Sequence, residues 1–325
     1  MRCRIIFFVI IGLMSCSDRE SKNIKVVGQI FGTSYGIIYY GVDNYERKFD
    51  SLFYLINKSM STYISNSDIS KLNRNESFRV DTHFINVFEA SKEIFKTTKG
   101  MFDPTIGAVV NAWDFGPEGN IVQIDSLKID SLMMSVGLNK VTLEDTMVKK
   151  KNKHTYLDFN AIAKGYAVDV IAQFLDSMDI TDYLVEIGGE IRCKGINRIN
   201  HKSWSVGIDW PNFDGSQAVL KTISLENTSM ATSGTYRKFK IDSDGNRYAH
   251  IIDATTGYPS KTNILSVSVL ATNCMIADAY ATSFQAMGIE SVKKFLKTHP
   301  ELKVFFVFDN EKNELETLSL NDFPE

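Results

Sequence analysis

Hydrophobic and polar positions repeat with two different periods along this chain. β-branched and aromatic residues at 26–30 and 35–40 predict a hairpin that turns near Gly32. Apolar residues at helical spacing predict helices over 44–58, 84–99, 104–113, 125–136, 162–178 and 274–287. Short apolar runs predict strands over 156–159, 183–187, 191–195, 204–209, 218–225, 264–270 and 304–308. Because no strand–helix–strand unit repeats, the order indicates an α+β fold in a single mixed domain.

Polar residues and glycines mark the ends of these elements. We expect Thr82 to cap the helix over residues 84–99 and Gly100 to end it. Gly257 follows a run of small polar residues and is expected to adopt a positive φ in a turn.

The first sixteen residues have the pattern of a bacterial lipoprotein leader. Arg2 and Arg4 precede an apolar run over residues 5–14, which is too short to span a bilayer as a helix. Cys16 follows Leu-Met-Ser, so the segment resembles a lipobox with Cys16 as the lipidated residue.

This leader predicts the domain organisation and the location of the protein. We expect a signal peptide over residues 1–15, a lipidated polar tether over 16–24 and one domain over 25–325. The lipid would anchor the chain to a bacterial membrane outside the cytoplasm, facing the periplasm. Acidic residues within 17–20 resemble surface-export signals, which leaves the cell surface as the alternative.

Composition narrows the classes of function. The chain has 36 basic and 39 acidic residues, for a net charge of −3, so no basic excess favours nucleic acid as a partner. The sequence has neither a His-Glu-x-x-His nor a paired Cys-x-x-Cys pattern, which disfavours zinc. Its Gly-x-Ser-x-Gly pattern at 32–36 falls in the predicted hairpin and is therefore not a nucleophile elbow, which joins a strand to a helix. Cys193 and Cys274 are expected either to pair or to remain buried free thiols.

Two stretches carry residue types suited to phosphate and metal chemistry. Asp278 and Thr282 are four residues apart, so they share one face of a predicted helix and offer hard oxygen donors of the kind that Mg²⁺ takes. Residues 158–166 run from a strand into a helix, where exposed amides and Lys164 suit a phosphate. Taken alone, the first stretch is better explained as an exposed polar pair on a helix and the second as a capped helix.

Further polar stretches are compatible with a ligand pocket. Phe102 suits stacking on a planar ring, and Asp103 suits accepting hydrogen bonds, although Asp103 with Pro104 also suits the start of a helix. His250 precedes the turn around Gly257, a setting in which catalytic loops are common. Paired glycines within 186–190 permit close approach of a ligand, and hydroxyls within 230–234 suit a polar pocket.

Together and in this order, these stretches resemble the ApbE family, the FAD:protein FMN transferases. The resemblance runs from about residue 27 to 308 and rests on eight short motifs, at 31–33, 60–63, 101–105, 158–166, 186–190, 231–234, 250–253 and 278–282. It implies a single α+β domain of the ApbE-like, T-fold-related type, with β-sheets packed against helices.

The resemblance also implies a reaction, cofactors and partners. FAD is the substrate and Mg²⁺ binds its pyrophosphate. A threonine or serine hydroxyl of an acceptor protein attacks the FMN phosphorus, and AMP leaves. The acceptors are flavoprotein subunits of extracytoplasmic redox complexes. Two alternatives keep the FAD pocket: a lipoprotein that carries flavin without transferring it, and a pyrophosphatase that yields FMN and AMP.

Family matches assign roles to individual residues. Asp278, Thr282 and the main chain of Ala161 and Ala281 match metal ligands, and His250 is the candidate for proton transfer, with Asp278 as its rival. The FAD-contacting positions are matched by Phe31, Tyr63, Met101, Phe102, Asp103, Asp158, Lys164 and Ile252. Phe31 stands where the family usually has methionine, and Asn160 where glycine or serine is common. Neither change removes a charge or a metal ligand.

Overall fold

The computed structural model describes residues 20–119, 125–213, 216, 218–236, 239–241, 247–312 and 314–324. The predicted signal peptide, Cys16 and most of the predicted tether lie outside these residues. No helix within the described ranges is both long and apolar enough to cross a membrane.

Strands and helices alternate irregularly, as the sequence predicts. In chain order the strands are β1 (Lys22–Ile30), β2 (Thr33–Gly41), β3 (Val141–Glu144), β4 (Met147–Lys150), β5 (Tyr183–Ile187), β6 (Glu190–Lys194), β7 (Trp204–Asp209), β8 (Val219–Leu225), β9 (Ser229–Gly234), β10 (Phe239–Ile241), β11 (Arg247–Ala249), β12 (Ile264–Ala271), β13 (Lys303–Asp309) and β14 (Leu315–Leu320). The helices are α1 (Glu46–Met60), α2 (Asp68–Asn73), α3 (Thr82–Thr97), α4 (Gly107–Ala112), α5 (Ser126–Met133), α6 (Ala163–Ser177), α7 (Cys274–Met287) and α8 (Ile289–Leu296).

An eight-stranded antiparallel sheet forms the centre of the fold. Its order is β1-β2-β5-β6-β9-β12-β13-β14, and every neighbouring pair is antiparallel. Helices α1, α3, α6 and α7 pack against one another on one face, with α6 on β5 and α7 on β9 and β12. Alternate residues of β2 point into this layer, where Tyr35, Ile37 and Tyr39 are buried. The predicted α+β architecture is therefore confirmed.

The second face of the sheet is partly covered by the hairpin β7–β8. Trp204 and Val206 of this hairpin form an apolar cluster with Leu270 of β12 and Phe305 of β13. Because the middle of the sheet is covered on both faces, β12 is buried along its whole length.

Several local features differ from the sequence prediction. β1 begins at Lys22, inside the predicted tether, because the side chain of Ile24 already belongs to the core. The cap of α3 is Asp81, whose Oδ1 accepts the Phe84 amide at 3.0 Å, so the prediction of Thr82 was wrong. The predicted strand over 156–159 is reduced to a single bridge between Tyr156 and Ile106.

The two cysteines in the described residues are not bonded to each other. Cys193 on β6 and Cys274 at the start of α7 are both buried free thiols. Burial raises the pKa of Cys193 to about 11, and it also raises the pKa of Cys274. Of the two outcomes left open by the sequence, the structure has the free thiols.

Candidate active site

Helices α6 and α7 meet at a glycine, and this contact places the first candidate residue. The Gly165 amide donates to Asp278 Oδ2 at 2.9 Å. A Cβ at Gly165 would lie 2.3 Å from the Cys274 carbonyl oxygen and 2.8 Å from Asp278 Cβ, so no larger residue fits without moving a helix. Asp278 is only 4% exposed. Its burial raises the pKa of this carboxyl, while Lys164 and the Gly165 amide act in the opposite direction.

A second carboxylate fixes the start of α7. Asp169 on α6 accepts the amides of Cys274 at 3.0 Å and Met275 at 2.8 Å, and it pairs with Arg192 Nη1 at 2.7 Å. These bonds satisfy amides that a helix start leaves without partners inside the helix. The turn of α7 that carries Asp278 is therefore held in a fixed orientation to α6.

The predicted metal ligands fit a hard divalent cation. Asp278 and Thr282 lie one turn apart on α7, and Thr282 Oγ1 is 3.1 Å from Ser233 Oγ of β9. Ala161 precedes the N-cap of α6, so its carbonyl lies outside the helix, and the Gly165 amide in the first turn donates to Asp278 instead. The set is one carboxylate, one hydroxyl and one main-chain carbonyl, which are oxygen donors suited to Mg²⁺.

Two observations indicate that the predicted metal site would involve few side chains. No group of three His, Cys, Asp or Glu residues that could hold a metal ion occurs in the described part of the chain. Ala281 is buried inside α7, where main-chain carbonyls normally serve the helix itself. Among the predicted ligands, Ala281 therefore has the least structural support.

Lys164 lies at the start of α6 and forms an ion pair with Glu190 that was not predicted from the sequence. Its Nζ pairs with Glu190 Oε1, and Glu190 is 2% exposed. Burial raises the pKa of Glu190 to about 7, although the Lys164 ammonium opposes this rise. For Lys164, burial acts to lower the pKa, but Glu190 and Asp278 outweigh it, so the pKa of the lysine is raised. Lys164 therefore supplies a positive charge beside two buried carboxyls.

The loop around Asp158 brings two further motifs together. The Asp158 amide donates to the Pro104 carbonyl at 2.7 Å, and the Asp158 carboxylate accepts the Asn160 amide at 2.7 Å. Partial burial raises the pKa of Tyr63, and the charge of Asp158 adds to this rise. Asp158 and the segment at 101–105 are thus neighbours, as a shared binding site requires.

Phe102 and Asp103 serve the fold itself. Phe102 is 4% exposed and belongs to the main apolar core. Asp103 Oδ1 accepts the Thr105 amide at 2.8 Å and hydroxyl at 2.6 Å, and Oδ2 accepts the Leu138 amide at 3.2 Å. Asp103 therefore stabilises a turn. The expectation that Asp103 and Pro104 start a helix was wrong, because α4 begins only at Gly107 with Ile106 as its N-cap. Met101 is more accessible than the side chains of Phe102 and Asp103.

Phe31 occupies a tight turn at the end of the sheet. Phe31 and Gly32 have φ values of 52° and 75°, so the turn joining β1 and β2 has positive φ at both central positions. The Phe31 ring contacts Phe53 edge-on at 5.8 Å. An aromatic residue with this backbone conformation is unusual, and strain of this kind is concentrated at functional sites.

The loop that contains His250 is held against α4. The His250 ring lies 6.3 Å from the ring of Phe115, and Ile252 is buried in the same apolar cluster. Gly257 has a φ of 77°, as predicted, and its carbonyl accepts Trp113 Nε1 at 2.8 Å. His250 and Asp278, the two candidates for proton transfer, therefore belong to separate elements.

Two residues without a role predicted from the sequence contact the predicted site residues: Glu190 contacts Lys164, and Ser233 contacts Thr282. Glu190 directly follows the paired glycines at 188 and 189. A carboxylate at this position indicates a cationic partner, and this signal in the sequence could have identified it. Ser233 was noted only within a hydroxyl-rich stretch, and it approaches Thr282 because β9 is a sheet strand beside α7.

Comparison with known proteins assigns the class. The ApbE family profile matches residues 31–306, and the chain therefore belongs to the ApbE family. A curated relative from Vibrio cholerae, named FAD:protein FMN transferase, is 36% identical over 289 residues, which cover 86% of this chain and 85% of the relative. A relative of the same name from Haemophilus influenzae is 34% identical over 294 residues, covering 86% and 84%.

Solved structures agree with this assignment. The flavin transferase ApbE from Vibrio cholerae superposes with a TM-score of 0.82 at 33% identity, covering 92% of this chain and 97% of its own. The apo flavinyl transferase ApbE from Pseudomonas stutzeri also gives 0.82, at 26% identity, covering 92% and 95%.

The close contact at Gly165 predicts a large effect of one methyl group. We expect Gly165→Ala to lower the free energy of unfolding by about 1–3 kcal/mol, because the added carbon overlaps the backbone of α7. Urea unfolding followed by circular dichroism measures this change. Gly36→Ala on β2 is the control, since its added carbon would meet only Glu186 Oε2 at 3.8 Å. Equal stability of both variants would contradict the packing described for α6 and α7.

Proposed function

We propose that this protein transfers FMN from FAD to a threonine or serine hydroxyl of an acceptor flavoprotein and releases AMP. Membership of the ApbE family supports the class of reaction. The observation that carries the proposal is the buried junction of α6 and α7. The ammonium of Lys164 and the oxygen donors of Asp278 and Thr282 lie on these two helices.

The charge of the substrate explains the choice of residues. A pyrophosphate is a dianion, so its binding requires positive charge and hydrogen-bond donors. Lys164 supplies an ammonium at the start of α6, where the helix dipole also favours an anion. Phe31, Tyr63, Met101 and Ile252 offer apolar contacts suited to the ring systems of FAD.

Asp278, Thr282 and the Ala161 carbonyl would hold Mg²⁺. A bound divalent cation supplies neutralisation of phosphate charge and orients the phosphoryl group. Burial of Asp278 favours this role, because a buried carboxylate is stabilised by a cation rather than by water.

The transfer breaks the phosphoanhydride bond of FAD and forms a phosphoester bond to the acceptor. The oxygen of the acceptor hydroxyl forms a bond with the FMN phosphorus, and the bond between that phosphorus and the AMP oxygen breaks. The hydroxyl proton passes to a base, which must lie within about 3 Å of it or act through one water. We assign this role to His250, with Asp278 as the alternative.

We further propose that the mature protein is a lipoprotein anchored through Cys16 to a membrane outside the cytoplasm. The leader pattern over residues 1–16 supports this proposal. In that position the enzyme would face the periplasm or the cell surface and modify flavoprotein subunits of extracytoplasmic redox complexes.

The reaction is tested with the chain from Ser17 onward, FAD, Mg²⁺ and a candidate acceptor domain. A denaturing gel under blue light should show a fluorescent acceptor band that EDTA abolishes, with AMP released in the same tube. AMP without a labelled band, with every acceptor offered, would favour the pyrophosphatase alternative. FAD binding without AMP would favour the flavin carrier.

Asp278→Ala should reduce transfer by at least about 100-fold, because it removes the only carboxylate among the proposed ligands. Transfer is measured by band fluorescence, and the thermal midpoint verifies folding. Asp130→Ala, which changes an exposed aspartate on α5, is the control and should keep full activity. Near-normal turnover of Asp278→Ala would refute its assignment as a metal ligand.

His250→Ala should slow the transfer step by about 10²–10⁴-fold and leave the Kd for FAD similar, since the lost group acts on the acceptor hydroxyl. Single-turnover transfer and flavin fluorescence titration measure the two quantities. His299 follows α8 and stacks on Phe295 of that helix, so it serves as the control histidine. His299→Ala should leave the transfer rate and the Kd for FAD unchanged. Unchanged transfer by His250→Ala would leave Asp278 as the base.

Cys16→Ser should abolish lipidation in cells that process bacterial lipoproteins, because serine cannot form the thioether. Incorporation of a fatty-acid probe measures the change, and Cys193→Ser is the control that should remain labelled. Continued labelling of Cys16→Ser would contradict the proposed anchor.

A further inference from the structure

A buried carboxylate without an assigned role lies against the lysine of the site. Glu190 Oε1 pairs with Lys164 Nζ, whereas Glu190 Oε2 is buried and has no hydrogen-bond partner among the described residues. A buried carboxyl oxygen without a partner is costly, so its presence calls for an explanation beyond packing.

The backbone delivers this carboxylate from a rigid turn. Gly188 and Gly189 have φ values of 64° and 102° and join β5 to β6 as a two-residue hairpin. The Gly189 amide donates to Glu186 Oε1 at 2.7 Å, and the Gly188 amide donates to the Ser34 carbonyl at 3.0 Å. Glu190 follows directly, so the main chain that carries it is fixed on both sides.

The flexible side chain of Lys164 is restricted by its ion pair with the fixed carboxylate of Glu190. Its ammonium ends a chain of four methylenes, and the side chain remains 31% exposed. Without a partner, this side chain samples many rotamers, and a ligand would have to restrict them at a cost in entropy. One proton of the ammonium is directed to Glu190, which leaves two for an anion.

We propose that Glu190 is a positioning residue that holds the Lys164 ammonium where it meets the pyrophosphate of FAD. This inference rests on the proposed function of the same site. Glu190 acts through Lys164 and does not contact FAD itself.

Removal of the Glu190 charge tests the proposal, because the two possible roles of Glu190 predict opposite changes in FAD affinity. If Glu190 acted only as a negative charge near an anion site, its removal would tighten FAD binding. If Glu190 positions Lys164, its removal weakens FAD binding, because the ammonium loses its fixed place.

The experiment uses the chain from Ser17 onward and measures the Kd for FAD by flavin fluorescence, with and without Mg²⁺. We expect Glu190→Gln to raise this Kd about tenfold, in the range typical of residues that orient a binding group. In a Lys164→Gln background, the same substitution should change the Kd by less than about twofold, because the group that it positions is absent. Tighter or unchanged binding by Glu190→Gln, or additive effects in the double variant, would overturn the proposal.

A matched control separates positioning from general stability. Asp182 is also a buried carboxylate paired with a cation, Arg198, at the far end of the hairpin β5–β6. Asp182→Asn should lower the thermal midpoint and leave the Kd for FAD unchanged. Glu190→Asp keeps the charge on a shorter side chain and should also raise the Kd for FAD. This variant provides a second measurement if Glu190→Gln folds poorly. Failure of both Glu190 variants to fold would make the residue structural and overturn the proposal.

The proposed function and the positioning role of Glu190 are contradicted by different results. Absence of FAD binding or transfer by the unmodified chain would contradict the proposed function. Binding and transfer by the unmodified chain, with no loss in Glu190→Gln, would contradict only the role of Glu190.

Discussion

The contact between Gly165 and Asp278 is the constraint on which the rest of the site depends. A glycine at this point lets two helices approach until a main-chain amide reaches a buried carboxylate. That single bond orients Asp278 and fixes the start of α6, which carries Lys164 and follows directly on Ala161. A larger residue would separate the helices and displace all three groups together.

The site combines a rigid part with parts carried on loops. The rigid part lies between α6, α7 and β9, where Asp169 and Ser233 hold α7 from both ends of the site. Asp158, Phe31 and His250 are carried on turns and loops that are tied to the core by main-chain hydrogen bonds and ring contacts. This division suits a reaction in which phosphate charge must be held in place while a second protein supplies the nucleophile.

Local patterns predicted much of the fold, and contacts between distant segments account for the rest. The strand Trp204–Asp209 and the helix Cys274–Met287 were predicted with their observed bounds, because each has a clear period of its own. Strand β9 was missed, since its hydroxyl-rich sequence is satisfied by pairing with β6 and β12, as in the bond between Thr232 and Ser268. The pair of Lys164 and Glu190 was missed for the same reason, because no local pattern relates a helix start to a later hairpin.

The order of strands in the central sheet has a practical consequence for anyone who modifies this protein. β1 and β14 form the two opposite edges of the eight-stranded sheet, so the ends of the folded chain lie about 34 Å apart at the usual spacing between strands. A linker joining them in a circular permutant would therefore need roughly ten extended residues, more than a tight turn provides. A reporter fused after β14 would instead stand at the edge away from β1, where it leaves the first strand and everything attached to it undisturbed.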